Sequence, residues 1–285
     1  TDWAEQASGS CIVSYGQTKV LATAVMSKEN LDGTDFFPLT VEYDEKFYAA
    51  GKILGSRFLK RESRPSDEAI LTSRMIDRAV RPLFPKDFKK EVQVIVSCIS
   101  FDGENDPDIL SMIAGSFALA VSDIPWNGPL GAIRIGKVDG KFVLNPTYKQ
   151  RQESIFDLTL SAINNNGEVL INMIEMGAKE VSENDMLEAT EFAEDILKKI
   201  VDFQKKIIAK VGVKKATFNP AVELDIQKDI KEFLGDKLEE AITQAPPGEK
   251  NLTNIDVLKE ELITFIKKKY PDKENLPAGR QGKSS

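Results

Sequence analysis

The spacing of the apolar residues changes at Ser182, and this change limits the folds that the chain can adopt. Before Ser182, short runs rich in β-branched residues alternate with two helical segments. After Ser182, apolar residues recur at helical spacing as far as about Tyr270. This order predicts an α+β domain followed by a small all-helical domain, and 285 residues are enough for two modest cores.

Turn and capping residues indicate where the elements begin and end. Asp139-Gly140 is typical of a tight hairpin turn, and Pro38 favours a sheet edge or a bulge for its strand. Ser66 and Asp106 are placed to cap helices. We predict strands at 11–15, 19–26, 36–43, 91–101, 130–138, 141–144, 155–163 and 168–176. We predict helices at 67–80, 107–121, 183–211, 223–243 and 255–270, the second of them buried because it is apolar nearly all round.

Composition excludes several kinds of site. The chain has no histidine, which rules out histidine general bases and histidine metal ligands within it. Cys11 and Cys98 lie in apolar runs, so we expect buried free thiols and no disulfide. The sequence has no apolar run of about 18 residues and no signal-peptide pattern, so we expect a cytoplasmic protein without a membrane contact.

Positive charge is concentrated between Arg57 and Arg81, although the net charge of the chain is −7. Burying the charges of segment 55–65, GSRFLKRESRP, without partners would cost several kcal/mol each, so we expect an exposed loop. Cations neutralise phosphates and an aromatic face supports a base, so the pattern is typical of a loop that binds single-stranded RNA. An ordinary solvated loop is the alternative. The residues proposed for RNA contact are Phe58, Leu59, Lys60, Arg61 and Arg64.

The helix predicted after this segment extends the basic surface. Arg74, Arg78 and Arg81 follow the spacing i, i+4, i+7 and share one face, with apolar residues on the opposite face. We therefore add Arg78 and Arg81 to the candidate RNA-binding residues. Asp77 lies at ion-pair spacing from Arg81, so structural ion pairing remains the alternative for both arginines.

Eight sequence runs resemble the polynucleotide phosphorylase family of bacterial and organellar exoribonucleases, which contain two RNase PH-like cores. They cover most of the first 150 residues in the order that the family shows. The runs are DFFPLTVEY (35–43), YAAGKI (48–53), FLKRE (58–62), RPS (64–66), IDRAVRPLFP (76–85), EVQVI (91–95), NGPLGAIRIG (127–136) and FVLNPT (142–147).

The resemblance implies an RNase PH-like core, of the ribosomal-protein-S5-like βαβ fold, followed by a small all-α domain. We expect the N-terminal part of the core at 1–133, its C-terminal part at 134–212, the helical domain at 213–271 and a disordered tail at 272–285. The family continues with a second core and two RNA-binding domains, so we expect this chain to be an N-terminal fragment. The family's ring architecture implies a homotrimer.

The resemblance also implies an activity. The family degrades RNA from the 3′ end in mRNA degradation, with phosphate as co-substrate and nucleoside diphosphates as products, and the reaction is reversible. Its reaction centre has the spacing D-x5-D-x-K and uses magnesium, which two carboxylates can hold. The corresponding residues here are Arg151, Asp157 and Thr159. We therefore expect no catalytic or metal-binding residue in this chain, a magnesium site in the second core, and Asp157 as a surface carboxylate.

The family's aromatic-basic loop lines the entrance of a central channel and corresponds to Phe58, Leu59, Lys60 and Arg61, with Arg64 just beyond. Leu59 stands where the family commonly has a second aromatic residue, so stacking on a base should be weaker there. Two other functions stay open. One is a non-catalytic ring subunit or RNA-binding module of an exosome-type assembly. The other is a stand-alone RNase PH that trims transfer RNA, which would need an intact acidic pair that this core lacks.

Overall fold

The computed structural model describes residues 3–31, 36–53, 55, 64–86, 88–165, 167–218, 224–243 and 252–270. The chain divides into two compact units, Thr1–Phe218 and Asn219–Ser285. The first unit contains both sheets and the second contains helices, which confirms the predicted α+β class with a smaller helical part. In the described residues, no helix is both long and apolar enough to span a membrane.

The first unit has two four-stranded sheets and four described α-helices. Its strands are β1 (Gly9–Tyr15), β2 (Thr18–Asn30), β3 (Leu39–Glu45), β4 (Lys90–Ser100), β5 (Leu130–Val138), β6 (Lys141–Leu144), β7 (Phe156–Asn165) and β8 (Glu168–Ala178). Its helices are α1 (Asp67–Val80), α2 (Pro107–Val121), α3 (Tyr148–Glu153) and α4 (Glu183–Val211), with short 3-10 helices at Phe47–Ala50 and Arg81–Leu83.

The first sheet has the order β1-β2-β4-β3. β1 and β2 form an antiparallel hairpin, β2 pairs antiparallel with β4, and β3 pairs parallel with β4 at the edge. Alternate residues of β2 and β4 are fully buried, among them Val20, Ala22, Val92 and Val94. This period of two is what a sheet with one face packed on helices requires.

The second sheet has the order β6-β5-β7-β8 and is antiparallel throughout. α4 packs on it through Ala189, Ala193, Leu197 and Val201, which recur every four residues and are buried. A Cβ on Gly131 of β5 would lie 3.0 Å from the carbonyl oxygen of Leu197, so a larger residue there would crowd the close approach of strand and helix.

α2 is the central helix of the first unit. It contacts β1, β2 and β4 of the first sheet, β5 of the second sheet, and α4. Nearly all of its residues are buried, as predicted from its apolar sequence. Its Ser116 lies 3.2 Å from the Leu130 carbonyl and 3.1 Å from the Gln204 amide oxygen, and Gln204 also donates to Leu130. These polar contacts join α2, β5 and α4 inside the core.

Several sequence predictions differ from the structure in their boundaries. β3 begins at Leu39, after Pro38, and lies at a sheet edge as expected. α3 was not predicted, although Thr147 and Gln150 form a capping box at its start. The segment predicted as one helix at 223–243 is interrupted at Gly235, whose φ is 37°. The predicted division after residue 133 lies inside β5.

The first unit extends to Phe218, beyond the predicted division after residue 212, because residues 213–218 are attached to the end of α2. The amide of Val213 donates to Val121, and the amide of Ala216 donates to Asp123. The Lys215 ammonium donates to the carbonyls of Leu119 (2.7 Å) and Ser122 (2.9 Å). A cation at this position is favourable because the C-terminal carbonyls of a helix carry partial negative charge.

The second unit contains α5 (Leu224–Leu234), α6 (Lys237–Thr243) and α7 (Leu252–Lys269). Phe233 and Phe265 stack with their ring centroids 4.7 Å apart. Asp229 accepts a hydrogen bond from the Tyr270 hydroxyl and forms an ion pair with Lys269, each at 2.6 Å. In the first unit, Cys11 and Cys98 are buried free thiols, as predicted.

Asp102 fixes the β1–β2 turn to the loop before α2. One carboxylate oxygen accepts from the amides of Gln17 (3.1 Å) and Thr18 (3.2 Å) and from the Asn105 side chain (2.7 Å). The other accepts from the amides of Glu104 (3.0 Å) and Asn105 (2.9 Å). Burial alone would raise the pKa of Asp102, but the hydrogen bonds outweigh it and hold that pKa well below its ordinary value of 3.8.

Asp102→Asn should lower the free energy of unfolding by roughly 2 kcal/mol at pH 7, because the amide donors lose a charged acceptor. A depressed folded-state pKa gives stability that is present above the unfolded-state pKa and is lost as pH falls through the folded-state value. The difference between variant and wild type should therefore be smaller at pH 3 than at pH 7, measured by urea unfolding.

Glu104→Gln is the matched control, because it removes the same charge from a neighbouring exposed residue. It should change the free energy of unfolding by less than about 0.5 kcal/mol. A loss for Asp102→Asn that is equally large at both pH values would contradict the electrostatic explanation.

Candidate functional site

Most of the predicted RNA-binding loop lies outside the described residues, namely Phe58, Leu59, Lys60 and Arg61. Arg64, at the end of that loop, is described and exposed. Ser66 caps α1 by accepting a hydrogen bond from the Ala69 amide at 3.0 Å, as predicted. Its hydroxyl also donates to Glu45 at the end of β3, at 3.0 Å. The C-terminal end of the basic segment is thus fixed at the rim of the first sheet.

The predicted faces of α1 are present in the structure. Arg74 and Arg78 are exposed, and Arg81, at the start of the following 3-10 helix, is half-buried. The apolar residues assigned to the opposite face, Ala69, Ile76, Ala79, Val80 and Leu83, are all buried.

Arg81 and Arg78 both take part in ion pairs. Arg81 donates to both carboxylate oxygens of Asp77 (2.9 and 2.7 Å) and to the carbonyls of Phe37 (3.2 Å) and Leu39 (3.1 Å), which fixes the start of β3 on α1. Arg78 forms an exposed ion pair with Glu175 of β8. The geometry matches the ion-pairing alternative for each arginine, and their contact with RNA remains a prediction.

Asp157 is not the surface carboxylate that the sequence suggested. It lies half-buried on β7, and Arg151 of α3 binds it through Nε (3.0 Å) and Nη2 (2.8 Å). The Nε atom of Arg134 lies 2.8 Å from its other oxygen. Thr159, two residues further along β7, is buried. Arg151, Asp157 and Thr159, which the resemblance matched to the family's reaction centre, thus hold an ion pair and a buried hydroxyl.

Two more carboxylates join this group from the start of α2. Arg134 donates to Asp106 (2.8 Å) and to both oxygens of Asp108 (3.2 and 2.6 Å), and Arg151 pairs with Asp106 as well. We call these five residues, Asp106, Asp108, Arg134, Arg151 and Asp157, the ion-pair network. It contains three acids and two arginines and connects α2, α3, β5 and β7.

Burial and mutual attraction oppose each other within the network. Burial raises the pKa of Asp108 above its ordinary value, and Arg134 counteracts part of that shift. Burial disfavours the charge of Arg134, but Asp108, Asp106 and Asp157 hold the pKa of its guanidinium above its usual range. The side chain of Arg134 is only 8% exposed, so its charge depends on these partners.

The network does not fit a magnesium site. Mg²⁺ needs carboxylate oxygens that are free to coordinate it in octahedral geometry, whereas Asp106, Asp108 and Asp157 each accept from a guanidinium. Within the part of the chain that the structure describes, no group of three or more acidic, cysteine or histidine residues could hold a metal ion. The charge that a metal would supply is supplied here by Arg134 and Arg151.

The network is equally unsuited to bind phosphate. The amides at a helix N-terminus attract anions, but the first turn of α2 carries Asp106 and Asp108 there, and Asp106 accepts from the Asp108 amide. A largely apolar cleft of about 400 Å³ adjoins the network, with Tyr15, Ile109 and Phe203 among its lining residues. Its charged lining residues are Asp106, Arg134 and Lys199, and the Arg134 guanidinium is already bound to carboxylates.

Arg134, Asp106 and Asp108 were not predicted from the sequence as members of a site. Asp106 was recognised only as a helix cap, which it is. The available signal was the arginine in the otherwise apolar run LGAIRIG of β5, because a charge in a buried strand requires carboxylate partners. Which carboxylates those are depends on how the elements meet.

Two family models match the core of this chain. The family model described as "3' exoribonuclease family, domain 1" matches residues 1–125, and the model described as "3' exoribonuclease family, domain 2" matches residues 128–196. The chain belongs to the 3' exoribonuclease family. The RNase PH-like fold expected from the sequence is thereby confirmed.

Relatives within this family are named polyribonucleotide nucleotidyltransferase. The Alkaliphilus oremlandii protein is 43% identical over 274 residues, which cover 96% of this chain and 38% of the relative. The Thermomicrobium roseum protein is 46% identical over 264 residues, covering 92% of this chain and 33% of the relative. The Clostridioides difficile protein is 45% identical over 267 residues, which cover 92% of this chain and 37% of the relative. The resemblance to polynucleotide phosphorylase is confirmed, and the chain spans little more than a third of these relatives.

A solved structure supports the same fold. Rice (Oryza sativa) Rrp46 superposes with a TM-score of 0.59 at 16% identity, over 72% of this chain and 90% of the rice chain. At this identity the similarity concerns the fold alone.

Arg134→Met should lower the free energy of unfolding by about 3–5 kcal/mol, because it leaves the buried Asp108 without its partner. Urea unfolding measures the loss. Asp108→Asn in the same chain should restore part of it, since it removes the uncompensated charge. Arg78→Met is the matched control at an ion pair whose arginine side chain is 53% exposed, and it should cost less than about 1 kcal/mol. Equal losses for the two single variants would show that the buried network contributes no more to stability than an exposed ion pair.

Proposed function

We propose that this chain is the RNA-binding, ring-forming part of a phosphorolytic 3′-to-5′ exoribonuclease of mRNA degradation. The enzyme would convert RNA and phosphate reversibly into nucleoside diphosphates. One observation carries the proposal: relatives named polyribonucleotide nucleotidyltransferase match 92–96% of the chain at 43–46% identity. The proposed partners are single-stranded RNA and two further copies of the chain, in the cytoplasm.

The ion-pair network supports a non-catalytic role for this core. Phosphorolysis requires a cation to stabilise charge on the scissile phosphodiester and a place for the attacking phosphate. In this core Arg134 and Arg151 are bound to carboxylates, and Asp106 and Asp108 occupy the start of α2. We therefore place the reacting residues and the magnesium site in a second core outside these 285 residues.

The basic segment supports the RNA-binding role. Arg64 is exposed beside Ser66, whose hydrogen bonds to Ala69 and Glu45 hold the end of the segment in place. Lys60 and Arg61 add two charges in the sequence before it. Cations on such a segment would neutralise the phosphates of a flexible strand. In a trimer each cation would be present three times around one opening.

A non-catalytic ring subunit of an exosome-type assembly is the second candidate, and the fold similarity to rice Rrp46 is the observation in its favour. That similarity covers 72% of the chain, whereas the named relatives cover 92–96%. The second unit, with α5, α6 and α7, also favours the first candidate. Finding an intact D-x5-D-x-K core encoded downstream would decide between them.

The purified chain should release no nucleoside diphosphate from single-stranded RNA in the presence of phosphate and magnesium, because two of its three reaction-centre positions, Arg151 and Asp157, pair with each other in the ion-pair network. Thin-layer chromatography of labelled RNA measures the product, and a full-length relative serves as the positive control. Phosphate-dependent diphosphate release that increases with the amount of this chain would contradict the assignment of chemistry to another core.

Replacing Lys60, Arg61 and Arg64 together with alanine should weaken RNA binding and reduce its salt dependence. The slope of log K against log salt should become less steep by about two, because about 0.7 counterions are released per phosphate contact on a single strand. Fluorescence anisotropy at several salt concentrations measures both quantities.

The matched control removes the same charge from exposed residues of α4, by replacing Lys198, Lys206 and Lys210 with alanine. This variant should keep the wild-type slope. Unchanged affinity and slope in the loop variant would remove the basis for RNA binding by the basic segment.

A further inference from the structure

A second exposed surface lies on the N-terminal side of the basic segment. The 3-10 helix Phe47–Ala50 ends at Gly51, whose φ of 66° lets the backbone turn, and the amides of Gly51 and Lys52 donate to the carbonyls of Tyr48 and Phe47 (both 3.0 Å). The carbonyl of Ala49 accepts from the Phe101 amide at 2.9 Å, just after β4. The backbone of this short helix is therefore attached to the first sheet.

This rigid backbone presents apolar and positive side chains to solvent. Tyr48 is 61% exposed and Ile53 is 93% exposed, and Lys52 between them is exposed as well. An exposed tyrosine on a fixed backbone offers an aromatic face at a low cost in conformational entropy. A neighbouring lysine offers a charge for a phosphate.

A hydrogen bond of Glu45 links the chain just before this surface to the residue that follows the basic segment. Tyr48 follows Glu45 by three residues, and Glu45 accepts the Ser66 hydroxyl at 3.0 Å. Arg64 precedes Ser66 by two residues. Of the acids at this end of β3, Glu45 is thus engaged by Ser66, and Asp44 forms an ion pair with Lys46 at 3.3 Å.

We propose that Tyr48 is a base-stacking platform and Lys52 a phosphate contact for single-stranded RNA. Together with Arg64 they extend the RNA path from the basic segment onto the rim of the first sheet. Stacking on Tyr48 tolerates any base, because every base has a π-face. The inference rests on the proposed RNA-binding function and adds to it a binding surface on residues outside the family's loop.

The test is fluorescence anisotropy of the full chain with labelled oligoadenylate of about 12 nucleotides, within the range of single-strand site sizes. Tyr48→Ala should weaken binding about tenfold with an unchanged salt slope, because stacking carries no counterion release. Tyr48→Phe should bind like wild type because it keeps the ring. Lys52→Ala should make the salt slope less steep by about 0.7.

Matched controls come from the opposite edge of the same sheet. Tyr15→Ala removes a tyrosine that is 48% exposed on β1, and Lys19→Ala removes an exposed lysine on β2. Both should bind RNA like wild type. Thermal unfolding and size-exclusion chromatography of each variant establish that the fold and the oligomeric state are unchanged.

The outcomes separate this inference from the proposed function. One outcome is that Tyr48→Ala binds RNA like wild type, whereas the variant with alanine at Lys60, Arg61 and Arg64 loses affinity. The stacking role of Tyr48 would then be wrong, and the proposed function would stand. If the wild-type chain shows no salt-dependent RNA binding, the proposed RNA-binding function is wrong, and the inference that rests on it is wrong as well. If Tyr48→Ala changes the oligomeric state and leaves RNA affinity unchanged, the surface is a protein interface and the inference is overturned. Equal losses for Tyr48→Ala and Tyr48→Phe would exclude stacking.

Discussion

The buried guanidinium of Arg134 determines how the elements of the first unit meet. A charge in a strand that is otherwise apolar costs several kcal/mol unless carboxylates surround it. Its partners come from the start of α2 and from β7, at 2.6 to 2.8 Å. These contacts fix the position of the central helix relative to the second sheet. Because α2 also contacts three strands of the first sheet, the same charge indirectly sets the relation between the two sheets.

Arg151 supplies this group of carboxylates with a second cation from the chain itself. An acid at that position would place four carboxylates, counting Asp106, Asp108 and Asp157, around the single cation of Arg134, and such a cluster would need a bound cation. Arg151 reduces this excess of negative charge by pairing with both Asp106 and Asp157. Side chains of the chain itself thus neutralise part of the negative charge of these three acids.

Local signals predicted most of the fold, and tertiary contacts account for the rest. β-Branched runs, the Asp139-Gly140 turn and the Ser66 and Asp106 caps depend on nearby residues, so the sequence predicted their elements. The pairing of Arg78 with Glu175 joins residues 97 apart in sequence, and that of Arg134 with Asp108 joins residues 26 apart. No local pattern specifies such partners. The start of β3 was placed too early because Pro38 lacks the amide that a strand residue donates.

Burial divides the described cations of this core into two groups with different physical roles. Arg134 and Arg151 lie close to carboxylates that cancel much of their field, so they contribute to stability more than to attraction of a distant phosphate. Lys52, Arg64 and Arg74 are exposed, where their charges act on solvent and on approaching anions. Salt screens exposed charges over a Debye length of about 8 Å at physiological ionic strength and affects buried pairs far less. Salt should therefore weaken the proposed contacts with RNA at concentrations that leave the core folded, which separates binding from stability in one molecule.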